Sequence, residues 1–270
     1  MSEKIKDPIQ ARLSRFGTLL ATLGYLFLLA PIFVVVPIAF GPPGDLNFPP
    51  EEFSVELFRI FFSSSDWTDP VLMSAKVSVI TTIVVLLTAV PAAYGVARYN
   101  FPGKSLISGL MMSSLVVPTI VTALGLYLYF SYLRITGSTF ALVLGHVIYT
   151  TPYVMVMIIA GIQKLDRNLE FGAQLMGASA MRMFFTVVLP QLVPSLIAAG
   201  LFAFLISFDE VVIAWFLSGS DTVTLPVKMF SSIRWEISPV IAAVSTLLTA
   251  MSLVVSLIVA GLRKSTPMAG

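Results

Sequence analysis

The 270-residue chain has no cysteine, a single histidine and few charged residues. Without cysteine, disulfide bonds and thiolate metal sites are excluded, and one histidine falls short of the three or four ligands that a zinc ion needs. Charged residues make up 11% of the chain, whereas soluble domains carry roughly 25%. The net charge is only +2, and the basic residues form no stripe that would bind nucleic acid. These shortages exclude an ordinary soluble domain.

The chain is instead rich in long apolar runs. Hydrophobic residues make up 57% of it and the mean hydropathy is +0.94. A helix needs about 20 apolar residues to cross a hydrocarbon core of roughly 30 Å. The sequence therefore predicts an all-α integral membrane protein with six transmembrane helices, near residues 16–40, 77–97, 106–130, 139–163, 188–217 and 239–262. A short amphipathic helix is predicted around residues 55–62, between the first two spans.

The distribution of Lys and Arg predicts the orientation of these spans, because cytoplasmic loops carry the excess of basic residues. With a cytoplasmic N-terminus, eleven of the 16 basic residues fall on the inside, and the first outer loop has one Arg against six acids. Both termini are therefore predicted to be cytoplasmic. The resulting divisions are an N-terminal segment (1–15), a first transmembrane helix with an acidic outer loop (16–72), a core (73–262) and a cytoplasmic tail (263–270).

The longest inner loop, residues 164–187, combines small side chains with apolar bulk. Gly172 and Gly177 would allow another backbone to approach closely or the chain to turn sharply. Leu175 and Met176 add apolar surface that a solvated loop would not keep. On composition alone, two interpretations stay open: a short helix that docks into a soluble partner, or a helix that packs on the inner ends of the chain's own spans.

The order of residues in this loop resembles a known motif. After Gly177 come nine residues and then Val187-Val188-Leu189-Pro190. This order resembles the "EAA" loop of ABC-transporter permeases from binding-protein-dependent importers. The resemblance implies a type I ABC importer permease fold whose coupling helix docks on an ATP-hydrolysing subunit. The motif's Glu falls on Phe171 here, and Glu170 stands one position earlier. The docking residues implied are Glu170, Phe171, Gly172, Ala173, Met176, Gly177, Ala178 and Ser179.

Residues 207–212, 224–226, 237–239 and 242–248 are similar to spermidine/putrescine-type permeases, and more narrowly to the second of the two permeases in those systems. This implies a subunit of the bacterial inner membrane that imports a polyamine or related amino compound. Its implied partners are a second homologous permease, two copies of an ABC ATPase, an extracytoplasmic solute-binding protein and membrane lipid. The chain itself would hold no catalytic residue or cofactor, since ATP and Mg would be used by the partner ATPase, and the sequence has no GxxxxGK[ST] motif.

Asp209 and Glu210 are the acids that fall within a predicted span, and an intramembrane carboxylate is a functional hypothesis by default. Adjacent helical residues diverge by about 100°, so one acid would face a pathway while the other caps a helix or pairs with Lys228 or Arg234. The resemblance favours Asp209, which follows Phe208, as the pathway member. A tentative translocation pathway is therefore formed by Phe208, Asp209 and Glu210, and a purely structural role for the acidic pair remains the alternative.

Other functions predict different patterns. His146 lies within the fourth span and is interpreted as one partner of a helix–helix hydrogen bond. An ion-coupled secondary transporter, the main alternative function, would place coupling-ion ligands at the midplane, whereas the acids here lie near one face. A membrane-embedded enzyme would need a cluster of catalytic polar residues at one depth, which the sequence does not show.

Overall fold

The computed structural model describes residues 8–44, 46–113, 115–235 and 238–264, and these ranges contain helices and turns but no β-strand. The chain divides into two compact units. One consists of the residues up to Ser65 together with those from Ser232 onward, and the other runs from Asp66 to Ser231. The all-α architecture expected from the sequence is confirmed.

The first unit contains α1 (Pro8–Ala39), α2 (Glu56–Ser63) and α12 (Val240–Lys264). Helix α12 packs against both α1 and α2. Helix α2 is amphipathic and buries Leu57 and Phe61, which are four residues apart and therefore share one face. The predicted short helix around residues 55–62 is confirmed.

The second unit contains most of the helices. In chain order these are α3 (Ser65–Arg98), α4 (Lys104–Ser113), α5 (Thr119–Tyr132), α6 (Thr139–Gln163), α7 (Arg167–Leu175), α8 (Ala180–Met183), α9 (Leu189–Phe208), α10 (Val212–Leu217) and α11 (Leu225–Arg234). A π-helical turn, Phe184–Val188, joins α8 to α9 without a break. The functional candidates lie at the two ends of this continuous segment.

Within the described ranges, four helical segments are long and apolar enough to cross a membrane: Gly17–Ala39, Ser65–Arg98, Thr139–Gln163 and Ala180–Phe208. Two further apolar helices are shorter over their described residues, Thr119–Tyr132 and Val240–Val254. The prediction of several transmembrane helices is confirmed in four places. The count of six stays a prediction.

The third predicted span, residues 106–130, is divided into α4 and α5. Pro118 immediately precedes α5, with an extended backbone (φ −54°, ψ 132°). Proline has no N–H to donate and disfavours the helical conformation of the residue before it, here Val117. One continuous helix across this stretch was therefore the wrong prediction, and the proline accounts for the break.

The fifth predicted span, residues 188–217, has different bounds in the structure. Helical structure begins already at Ala180, where the Ser179 hydroxyl oxygen accepts a hydrogen bond from the Arg182 N–H. The π-helical turn lies just before Pro190, whose ring would clash with a carbonyl in the preceding turn of an α-helix. At the other end, α9 stops at Phe208. Asp209 and Glu210 thus follow the helix rather than lying inside it.

Helix α6 packs closely along α9. A side chain at Gly161 would meet the Ser195 hydroxyl at 2.5 Å, so the glycine permits this approach. Small residues serve the same purpose in other membrane helix pairs. Two hydrophobic clusters fill the unit, one around Ile158 and Leu192 and one around Leu142 and Ile213. The first cluster includes Leu192, Ala199 and Ala203 of α9, and the second packs around α10, which follows α9.

Candidate functional site

Helix α7 and the turn after it have well-defined ends. Asp166 caps the start, because its Oδ1 accepts a 2.9 Å hydrogen bond from the Asn168 N–H. At the other end Gly177 has φ +82°, a left-handed conformation that glycine adopts without strain. The Gly177 N–H donates to the Gln174 carbonyl and the Ala178 N–H to the Ala173 carbonyl, which is the Schellman pattern of helix termination. The glycine is therefore required by the turn itself.

Glu170 anchors α7 to the end of α3. Its side chain is buried, and its Oε2 accepts a 2.7 Å hydrogen bond from the Tyr94 hydroxyl. Its Oε1 lies 2.6 Å from Arg98 Nη2, an ion pair whose N–H is not aligned as a linear hydrogen bond. The same Arg98 nitrogen donates to the Leu165 carbonyl, 3.2 Å away. Two contacts of Glu170 and one of Leu165, just before the helix, thus fix α7 against α3.

The opposite side of α7 is open. Leu175 and Met176 are each 90% exposed, and Phe171 is 49% exposed with the Arg167 guanidinium over its ring. A side chain added at Gly172 would meet nothing within 4 Å. We call this apolar, open face the α7 surface: Phe171, Gly172, Leu175, Met176 and Gly177.

The structure therefore divides the eight docking residues that the sequence suggests. Phe171, Met176, Gly177 and Ser179 are exposed, Gly172 is half-buried with open space above it, and Ala173 and Ala178 pack against the core cluster around Ile158. Glu170 is turned inward. Leu175 was not among the predicted docking residues, and Tyr94 and Arg98 were not predicted as partners of Glu170. Tyr94 and Arg98 lie four residues apart and so share one face of α3, but nothing in the sequence connects that face to Glu170.

Beyond the C-terminal end of α9, Glu210 is buried, and its carboxylate accepts hydrogen bonds from backbone N–H groups of the residues that follow it. Its Oε1 accepts a hydrogen bond from the Val212 N–H (3.0 Å), and its Oε2 accepts from Ile213 (2.7 Å) and Ala214 (3.1 Å). The carboxylate thereby satisfies the free N–H groups at the start of α10. The capping role that the sequence offered for one acid of the pair falls to Glu210.

Asp209 is exposed and lines an open groove of about 410 Å³ together with Thr119, Tyr149 and Glu210. Tyr149 packs edge-on against Tyr153, with 5.6 Å between ring centroids. The third residue of the tentative pathway, Phe208, stacks instead on Phe204.

Among the described residues, Asp209 and Glu210 form no ion pair with Lys228 or Arg234, the candidate cationic partners. Lys228 Nζ lies over the ring of Trp67 at 5.5 Å. Asp209 therefore keeps a carboxylate without an ion-pair partner at the groove. Such a group is suited to attract a cation.

His146 links α6 to α9 near this groove. Its Nδ1 lies 2.8 Å from the hydroxyl oxygen of Ser207, and both residues are buried. The predicted helix–helix hydrogen bond is confirmed. Among the described residues no three His, Asp or Glu side chains come together as a metal site.

Comparison with known proteins decides the family. Residues 86–265 match the model of the binding-protein-dependent transport system inner membrane component family, and this covers more than half of the chain. The chain belongs to this family. It is 31% identical to the putrescine transport system permease protein PotI of Escherichia coli strain K12, over 84% of this chain and 83% of that protein. It is 27% identical to the spermidine/putrescine transport system permease protein PotC of Haemophilus influenzae, over 85% and 89%.

Among solved structures, the permease is similar to a bacterial ABC transporter involved in the import of the acidic polysaccharide alginate. The TM-score is 0.75, with 12% identity over 98% of this chain and 100% of the other. At that identity the likeness shows the fold alone, and the expected importer permease fold is confirmed. Family membership makes the chain a permease subunit of an ABC importer, and the ion-coupled secondary transporter is excluded.

Proposed function

We propose that this permease forms half of the translocation pathway for a small cationic organic solute, a polyamine or related amino compound. It works with a second homologous permease, two copies of an ABC ATPase that uses ATP and Mg, and an extracytoplasmic solute-binding protein. The observation that carries the proposed assembly with an ATPase is the exposure of Leu175 and Met176, each 90%, on a helix that Glu170 ties to Arg98.

The α7 surface has the properties of a docking site for the ATPase. Contiguous exposed apolar residues mark interaction sites in soluble regions of proteins. Gly172 leaves room for a partner backbone, since a side chain there would meet nothing of this chain. Movement of a docked partner would be transmitted to α3, because Glu170 ties α7 to Arg98 and Tyr94.

The groove at Asp209 supports a cationic solute. Asp209 offers an exposed carboxylate, and Tyr149 with Tyr153 offers aromatic faces within the same unit. Carboxylates and aromatic faces both attract organic cations. The names of PotI and PotC, a putrescine and a spermidine/putrescine permease, support the same class of solute.

The orientation proposed is that of the positive-inside rule, with both termini and α7 in the cytoplasm. Since the chain has no cysteine, single cysteines can report it. Glu52→Cys should react with an impermeant thiol reagent in intact cells, whereas Asn168→Cys should react only after the cells are opened; both positions are exposed. The reverse pattern would contradict the orientation.

Coupling between ATP hydrolysis and solute uptake is tested by adding a single charge to the α7 surface. Leu175→Asp puts a carboxylate on the α7 surface without disturbing this chain, because the side chain is 90% exposed. We expect reconstituted transporter with this variant to lose solute-stimulated ATPase activity and uptake. Asn168→Asp adds the same charge to an exposed site in the first turn of α7 and should leave both activities near normal. Equal activities in the two variants would contradict docking through this surface.

A further inference from the structure

A second concave surface includes Tyr94, the residue whose hydroxyl holds Glu170. It is an open groove of about 630 Å³, and its lining is almost entirely apolar. One wall is formed by α3, and the other by α8, the π-helical turn and α9. Representative lining residues are Leu86, Val90, Gly95, Phe184, Phe185 and Leu189.

The groove has the length of one membrane leaflet. It extends from Leu86 on α3 to Tyr99, the residue directly after that helix, which is about 20 Å at 1.5 Å per residue. Half of a hydrocarbon core of roughly 30 Å is about 15 Å, so the groove matches an acyl chain together with the start of its head group. Both walls belong to helices that are long and apolar enough to span a membrane.

One cationic side chain is held at the Tyr99 end of this groove, and a second cation neighbours the lining in sequence. Lys104 Nζ donates a 3.0 Å hydrogen bond to the carbonyl oxygen of Tyr99, a lining residue. Arg182 follows the lining residue Met181 directly and is exposed. Neither cation has an ion-pair partner among the described residues. The acid nearest in sequence to Arg182, Glu170, is buried against Arg98.

We propose that this groove binds one anionic phospholipid, with an acyl chain against α3 and α9 and the phosphate between Lys104 and Arg182. An apolar groove one leaflet long fits the acyl chain, and the two cations fit the phosphate of the head group. Basic pockets between transmembrane helices are known lipid head-group sites. The lipid would sit directly behind Tyr94, whose hydroxyl holds Glu170, and so would brace the anchor of α7.

Gly95 provides a clean test, because it lines the groove and a side chain there would meet nothing within 4 Å. Gly95→Leu should fill the groove without a clash. Gly125→Leu, at another helical glycine with open space, is the matched control. The assay uses the whole transporter, co-purified with its partner subunits and incubated with a phosphatidylglycerol that carries a photoreactive acyl chain. We expect labelling of this chain to fall at least about fivefold in Gly95→Leu and to be unchanged in Gly125→Leu.

The head-group contact is tested by competition between phosphatidylglycerol and phosphatidylethanolamine. We expect the preference for the anionic lipid to fall about fivefold for each cation removed in Lys104→Gln and Arg182→Gln. Lys164→Gln, an exposed lysine at the end of α6, should leave it unchanged. Equal labelling of the two glycine variants would overturn the proposal. Loss of the second permease from Gly95→Leu complexes, with labelling unchanged, would also overturn it and identify a protein as the occupant.

Discussion

Glu170 and Glu210 lie beyond opposite ends of the helical segment Ala180–Phe208, and each is at most 7% exposed. Glu170 is held by side chains from a distant helix, Tyr94 and Arg98. Glu210 is held by backbone N–H groups of the residues that follow it. The first acid therefore fixes the position of one element against another, whereas the second fixes only the start of its own helix. A change at Glu170 should be felt by the ATPase that we propose docks on α7, and a change at Glu210 should stay local.

The largest effect is expected from breaking the Glu170 pair. Glu170→Ala leaves Arg98, whose side chain is only 12% exposed, without its ion-pair partner, and breaking a largely buried pair in this way typically costs about 3–5 kcal/mol. We expect α7 to detach, with faster backbone hydrogen exchange over Arg167–Leu175 and loss of ATPase coupling. The matched control is Glu56→Ala, which breaks an exposed ion pair with Arg59, and pairs of that kind contribute little. Unchanged exchange in α7 would contradict the anchoring role.

The second-largest effect distinguishes the roles of Asp209 and Glu210. Glu210→Gln should lower the melting temperature of the purified complex, because the cap of α10 loses charge-assisted hydrogen bonds worth about 1–3 kcal/mol. Asp209→Asn should leave the melting temperature unchanged, since Asp209 is exposed, and should lower uptake of a cationic solute. If uptake survives in Asp209→Asn, the carboxylate does not line the pathway. If both variants lose stability together, the pair is structural.

A smaller effect is expected at Gly177. Gly177→Ala forces an L-residue into a left-handed conformation, at a cost of about 1–2 kcal/mol, and should loosen the turn between α7 and α8. Gly172→Ala lies inside the helix and should stabilise it slightly, by up to about 1 kcal/mol. Hydrogen exchange of α7 and α8 would measure both. Equal exchange in the two variants would mean that the Schellman turn is not needed to hold the α7 surface.

The sequence predicted what depends on composition and local order. Long apolar runs predicted the helices, and the resemblance of residues 177–190 to the "EAA" loop predicted the family and the turn. The direction of the Glu170 side chain was not predictable, because Tyr94 and Arg98 are more than 70 residues away along the chain and only tertiary packing brings them together. The end of α9 was missed for a different reason. Residues 188–217 are apolar almost throughout, and it is the capping of α10 by Glu210 that starts a new helix there.

The central claim is that the α7 surface contacts the ATPase, and cross-linking from a single cysteine tests it most directly. Met176→Cys places a thiol at a 90% exposed position in a chain without other cysteines. Ser220→Cys, an exposed position in the connection after α10, serves as the comparison site. In the assembled transporter, a short bifunctional thiol-to-amine reagent should link position 176 to the ATPase subunit, and position 220 should give no such product. A link from position 176 to the solute-binding protein, or a link to the ATPase from position 220 instead, would contradict the claim.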